Sequence, residues 1–392
     1  MASMTLPPLS LYVHVPWCVR KCPYCDFNSH VSSDVKGDIP EVEYLEQLKL
    51  DLAEDLCWVQ GRPLRSIFFG GGTPSLMSGD FYRALLEHIA LLIPFHPDIE
   101  ITLEANPGTT ESARFNAYRE AGINRLSVGV QSFQPEHLKR LGRIHSGGDA
   151  IRAIEQAKAA GFDNFNIDLM HGLSEQSLEE AMSDLKQAIA LAPTHLSWYQ
   201  LTIEQNTEYY RHPPKLPEDE ALWDIQKAGA ALLETAGYDQ YEVSAFAKKG
   251  RQAQHNLNYW RFGDYIGIGA GAHSKITKTK SSIDSECQLD SIIRYRKTRM
   301  PKDYLLPKPF FRIGEETVAT DDLGFEFLMN VLRLNKGVSE SLLKERTGLS
   351  LRELDPKLTE FRNMGLIQVN RLGTTEKGHL FLNSILEKFA GV

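Results

Sequence analysis

The stretch Leu11-Tyr12-Val13-His14-Val15-Pro16-Trp17-Cys18-Val19-Arg20-Lys21-Cys22-Pro23-Tyr24-Cys25 decides how this chain is read. Its first five residues have the β-branched and aromatic make-up of a strand. Three thiols follow at once on a loop punctuated by Pro16 and Pro23. Iron–sulfur clusters are held by cysteine thiolates, usually four to a cluster, so three on one loop leave one iron open to another ligand. Zinc is the alternative, with Cys22-Pro23-Tyr24-Cys25 as a knuckle and Cys18 plus His30 completing four ligands. The chain has no second Cys-x-x-Cys, which a structural zinc site would normally supply. Three unliganded thiols in a packed helix are a poor reading, because Pro23 breaks any helical phase. The other two of the five cysteines, Cys57 and Cys287, have no partner motif and read as bystanders.

Outward from that loop, short strand patterns alternate with longer helical ones. Strands are expected at Leu11–Val15, Ser66–Phe69, Glu100–Glu104, Arg125–Val130, Asn164–Leu169 and Leu196–Leu201. Between them lie amphipathic runs such as Tyr44-Leu45-Leu48-Leu50-Leu52 and Ala181-Leu185-Ala188-Ile189. Such βα alternation predicts an α/β fold with a parallel sheet, and six units fit an incomplete β/α barrel or a doubly wound sheet. The unusual residues collect at strand C-termini: the cysteines after the first, Gly70-Gly71-Gly72-Thr73-Pro74 after the second, and Glu104 closing the third. Gln131 follows the fourth, Asp168 lies near the end of the fifth, and Tyr199-Gln200 near the end of the sixth. In parallel barrels that rim carries the active site.

Each rim residue has a chemistry. Three glycines remove three β-carbons and let backbone approach a ligand closely. Glu104 can pair with an ammonium or accept a ribose hydroxyl, Gln131 offers a donor and an acceptor, and Arg143 can hold a carboxylate with two parallel bonds. The competing reading for each is a helix cap or an internal ion pair, Arg143 with Asp168 for instance.

The charge excludes one class. The sequence has 43 Lys+Arg against 51 Asp+Glu, a formal net charge of −8, which argues against a general nucleic-acid binder. Five cysteines are too few and too odd in number for a disulfide scaffold. No basic and apolar leader opens the chain and no apolar run reaches about 18 residues. These features point to the cytoplasm, and they leave open a peripheral visit to the cytoplasmic face of the membrane and a homodimer.

After Val243 the character changes. His255-Asn256-Leu257-Asn258-Tyr259-Trp260 and Gly267-Ile268-Gly269-Ala270-Gly271-Ala272-His273 are rich in aromatics and glycine, and residues 275–310 read as a polar surface connection. Helices are then expected around Phe325–Leu334, Ser339–Thr347 and Leu354–Met364, followed by a Leu366–Val369 strand and a last helix through Leu380–Phe389. That order is winged-helix-like, but residues 320–392 hold ten basic and ten acidic side chains, too neutral for a DNA reader. The expected domains are 1–245, a partial barrel; 246–319, the Gly/aromatic segment and connection; and 320–392, a small helical domain.

Tyr12 through Cys25 followed by Gly70-Gly71-Gly72-Thr73-Pro74-Ser75 resembles the radical S-adenosylmethionine proteins. Within that superfamily the chain is similar to oxygen-independent coproporphyrinogen III oxidase (dehydrogenase) and to its relatives, the HemW heme chaperones. The resemblance covers essentially the whole chain. It implies a three-quarter β/α barrel whose Cys18, Cys22 and Cys25 hold a 4Fe-4S cluster. It further implies that the open iron binds the amino and carboxylate groups of S-adenosylmethionine, which an electron can cleave to a 5′-deoxyadenosyl radical. By the same resemblance Tyr12, Tyr24, Gly71, Gly72, Thr73, Glu104, Gln131, Arg143 and Asp168 line the adenosylmethionine site. Two departures separate the chain from the oxidase pattern: Phe27 stands where the oxidase has a fourth cysteine, and only about ten residues precede Tyr12. Both departures match the chaperones. His255-Asn256-x-x-Tyr259-Trp260 fits a pattern associated with heme binding there, implying an axial imidazole from His255 and stacking by Tyr259 and Trp260. His14 and His273 are weaker ligand candidates, His14 fitting better behind the cluster. The implied function is delivery of heme to respiratory hemoproteins; the alternative is coproporphyrinogen III dehydrogenation.

Overall fold

The computed structural model describes residues 4–32, 39–108, 113–279 and 290–390. Six parallel strands follow one another in space as in sequence: β1 (Leu9–Val15), β2 (Leu64–Gly71), β3 (Phe95–Ala105), β4 (Arg125–Gln131), β5 (Phe165–His171) and β6 (His195–Gln200). All six lie within a few residues of the expected positions. The connecting helices include α1 (Glu41–Asp55), α2 (Gly79–Leu92), α3 (Phe115–Glu120), α4 (Gly147–Ala159) and α5 (Leu178–Ala190), with α6 (Asp219–Thr235) after β6. Ser146 with Asp149 and Ser177 with Glu180 close reciprocal caps that start α4 and α5, satisfying backbone N–H groups a helix start leaves free. Apolar residues of these strands, Val13, Ile67, Leu103, Val128, Ile167 and Leu196 among them, are fully buried, as parallel strands covered by helices require.

The sheet continues beyond the six. On one side β7 (Asp239–Glu242) and β8 (Ala245–Ala247) turn antiparallel, giving the order β6-β8-β7. On the other, β9 (Asp264–Ile268) runs parallel to β1 and is followed outward by antiparallel β10 (His273–Lys278), β11 (Ser291–Lys297) and β12 (Arg312–Thr317). The full order is β12-β11-β10-β9-β1-β2-β3-β4-β5-β6-β8-β7, so among the described residues the barrel stays open.

Over its described residues, 275–279 and 290–310, the expected surface connection is therefore something else. Much of this segment is sheet, and Lys297 of β11 is fully buried between Asp51 and Asp55 of α1, at 2.5 and 2.7 Å. Charges at core positions hid this stretch from a reading based on apolar periodicity. The same pairing corrects α1. Its buried face is Tyr44, Leu48, Asp51, Leu52 and Asp55, whereas Leu50 is exposed.

The C-terminal helices are α8 (Leu323–Val331), α9 (Ser341–Thr347), α10 (Lys357–Asn363), α11 (Glu376–Leu380) and α12 (Leu382–Ala390), with α7 (Gln254–Trp260) lying earlier, before β9. Their core joins Phe327, Leu328, Leu343 and Ile385 to Tyr241, Ala245 and Phe262 of the sheet-side segment. The expected Leu366–Val369 strand is reduced to a single bridge, Ile367 with Thr374. Gln368 turns its side-chain amide onto the Thr374 carbonyl, and Val369 is exposed.

Candidate functional site

At the C-terminal rim of β1–β6 lies a cavity of about 530 Å³. Cys18, Cys22 and Cys25 all line it, together with Gly71, Gly72, Thr73, Tyr24, Glu104, Gln131, Arg143 and Asp168. Burial raises the thiols of Cys18 and Cys25 above their ordinary range. The loop is held from both sides. The Cys25 N–H donates to the Cys22 carbonyl at 3.1 Å, and Arg143 Nη1 stands 3.7 Å from Cys22 Sγ. His14 accepts from the Tyr12 hydroxyl at Nδ1 and donates from Nε2 to the Asn28 carbonyl, each at 2.8 Å. Burial lowers this imidazole to about 4, so it stays neutral and ties β1 to the end of the cysteine loop.

The glycines serve the protein before they serve any ligand. Gly71 has φ of +115°, and a Cβ there would come within 2.5 Å of the His14 ring. At Gly72 a Cβ would meet the Trp17 carbonyl oxygen at 2.5 Å. The Gly72 and Thr73 N–H groups donate to the carbonyls of Val15 and Trp17, each at 2.7 Å. The triplet is thus clasped directly against the strand that presents Cys18.

Both acidic members are pushed toward their neutral forms. Burial and the neighbouring Asp168 push Glu104 up to about 8; its hydrogen bond from the Gly71 N–H, at 3.2 Å, only partly opposes this. Asp168 is also raised by burial, although Asn166 Nδ2 at 2.7 Å and the Ser127 hydroxyl at 3.1 Å donate to it. The anticipated Arg143–Asp168 pair does not form. Arg143 instead donates to Asn106 Oδ1 at 2.6 Å and the Gly129 carbonyl at 2.7 Å. Gln131 takes a left-handed backbone, φ 69°, at an irregularity of the β4–β5 pairing, and its Oε1 accepts from the Tyr199 hydroxyl at 2.8 Å. Positive φ is uncommon outside glycine and is held in place only by surrounding packing.

Of the residues expected around S-adenosylmethionine, Tyr12 alone lies outside this cavity. Tyr12 lines a second cavity, of about 470 Å³, with Tyr259 and His273. Trp260 and Phe27 line both cavities. His255 lines neither of these two cavities. It is buried, with Nδ1 3.3 Å from Glu100 Oε1 and its ring centroid 4.0 Å from that of Phe68. Burial raises and the His255 hydrogen bond and Arg125 more than reverse the shift of Glu100, so this carboxyl ionises and Nδ1 carries the proton toward it. His255 therefore fastens α7 to β2 and β3 in this arrangement. His30, the fourth ligand of the zinc alternative, faces Asn28 Oδ1 at 3.2 Å and is not part of the thiol cavity. Cys57 is exposed, and Cys287 falls outside the described residues. Sequence reasoning missed Asn106, Ser127 and Ser197: Asn106 directly follows the end of β3, whereas the two serines sit inside β4 and β6 and carry no sequence signal.

Residues 12–185 match the radical SAM superfamily. The chain is 51% identical over 386 residues to the heme chaperone HemW of Escherichia coli, covering 98% of each protein, and 51% identical over 390 residues to that of Haemophilus influenzae. The chain belongs to the HemW family. Identity to the Bacillus subtilis HemW is 32%, over 97% of this chain and 99% of that protein. Residues 318–381 of this HemW-family chain also match the HemN C-terminal domain. In structure it is similar to coproporphyrinogen III oxidase (HemN) of Escherichia coli, a radical SAM enzyme. The TM-score is 0.78 at 23% identity, over 98% of this chain and 90% of that one. At that identity the likeness is one of fold.

Proposed function

We propose that this HemW-family protein is a heme chaperone that carries a 4Fe-4S cluster on Cys18, Cys22 and Cys25, binds S-adenosylmethionine beside it, and passes heme to respiratory hemoproteins. The observation that carries the reading is the meeting of three thiols with the glycine clasp, Glu104 and Arg143 around one cavity, in a chain collinear with HemW over its length. Three thiols on the cavity wall, with no fourth there among the described residues, suit a cluster with one iron open to a further ligand, and the cluster supplies an electron when bound. The chain's own residues do the rest. Arg143 lies against Cys22 and can balance thiolate charge, Glu104 can receive a cationic amino group, and Gln131 and Asp168 can hold ribose or adenine polar atoms. Tyr259 and Trp260 offer flat apolar faces to a macrocycle. No helix among the described residues is long and apolar enough to cross a membrane; delivery at the membrane's cytoplasmic face and dimerisation belong to this proposal.

The test is heme transfer from the reconstituted protein to an apo-hemoprotein, with and without cluster and S-adenosylmethionine. Transfer by the loaded protein supports the reading, and its absence under every condition removes it. Anaerobic turnover of coproporphyrinogen III to protoporphyrinogen IX would replace it with the dehydrogenase.

A further inference from the structure

The second cavity has the parts a metalloporphyrin needs, and the imidazole in it is not that of α7. Its walls include the rings of Tyr12, Tyr259, Trp260 and Tyr265 and the thioether of Met329 on α8. A flat, polarizable ring system is well matched by such aromatic and sulfur surfaces. Two imidazoles reach this cavity. Both nitrogens of His14 are already engaged, by Tyr12 and by the Asn28 carbonyl. His273, the first residue of β10, is exposed, and neither of its ring nitrogens has a hydrogen-bond partner among the described residues. Cations flank it. Arg296 stands opposite His273 in the β10–β11 ladder, and Arg294, opposite Lys275, lines the cavity. Arg294 pairs with Glu326 and is hydrogen-bonded to Tyr265, which fixes its guanidinium at the cavity wall. Lys275 is spent on Asp264 and on the Phe262 and Gly263 carbonyls.

Resting on the heme-chaperone reading, we infer that heme seats in this second cavity with His273 as an axial ligand to its iron and Arg294 near its propionate edge. Burial and the two arginines lower His273 below the usual histidine range, which keeps the lone pair that iron requires available at neutral pH. Ligation transfers no electron and no proton from a neutral imidazole; one Fe–N bond forms. A ligand bearing a soft ring face, an iron and carboxylates satisfies every group named, whereas a metal-free aromatic would leave His273 unused.

The experiment titrates hemin, and separately metal-free protoporphyrin IX, into the cluster-reconstituted full-length protein, its His273→Ala and its His255→Ala variants. Electronic absorption and electron paramagnetic resonance report the axial ligand. His273→Ala is expected to weaken hemin binding at least tenfold and to erase the imidazole-ligated spectrum. Added free imidazole should restore that spectrum, while protoporphyrin IX affinity and iron–sulfide content stay at the wild-type level. An unchanged hemin spectrum in His273→Ala overturns the inference and leaves the chaperone reading standing. Equal loss of hemin and protoporphyrin binding, or loss of the imidazole signature only in His255→Ala, also overturns it. Failure of the wild-type protein to take up hemin removes both.

Discussion

At the scale of single residues, Glu104 sets a pH signature. A carboxyl raised to about 8 keeps its proton at neutral pH, and an adjacent ammonium or sulfonium favours its ionised form. Binding of S-adenosylmethionine below pH 8 should therefore release a proton, and affinity should rise toward pH 8 by up to about tenfold per unit. Calorimetry in buffers of different ionisation enthalpy checks the proton count, and Glu104→Gln should flatten the profile. A proton count of zero in the wild type contradicts this role. Gly72→Ala is the steric counterpart. Its Cβ would sit 2.5 Å from the Trp17 carbonyl oxygen, so the cysteine loop must shift. A loss of about 1–3 kcal/mol in unfolding free energy is expected, with reduced iron uptake in anaerobic reconstitution. The rim residues were legible in the sequence because strand ends concentrate polar side chains where helices cannot cover them. The surroundings of His255 were not legible, because an imidazole in a motif carries no sign of whether it faces a cavity or, as here, Glu100 and Phe68.

Among elements, the six parallel strands announced themselves by apolar runs, while β10 to β12 did not. Lys275 and Lys297 are buried in them, and apolar periodicity is blind to a core position filled by a paired charge. Lys297→Met should leave Asp51 and Asp55 facing each other in the core. Breaking a buried ion cluster from one side costs about 3–5 kcal/mol, far more than a surface pair. Urea denaturation of the variant measures this, and a change under 1 kcal/mol would show that the cluster does not anchor β11 to α1.

For the whole molecule, the C-terminal helices complete the fold rather than decorate it. Phe327, Leu328 and Ile385 share one core with Tyr241 and Phe262. A chain ending near residue 319 would uncover that apolar face, and it is expected to bind a hydrophobic dye and to aggregate. A soluble truncation with the parent's melting temperature would show the two parts to be independent. The sequence marked the helices of this region, since their spacing is local. Which surface they cover depends on residues some 80 positions away and could not be read from periodicity.

Phe27 and Trp260 line both cavities at once. Side chains that line two cavities cannot be moved for one without changing the other. Whatever rotamer a ligand selects in the first chamber becomes the wall that a ligand meets in the second. Thermodynamic reciprocity then fixes the bookkeeping: the factor by which adenosylmethionine alters heme affinity must equal the factor by which heme alters adenosylmethionine affinity. Phe27→Ala should drive that common factor toward one, and paired titrations measure it from both directions. The aromatic residue at the position of the oxidase's fourth cysteine would then be a conformational relay between two cargoes.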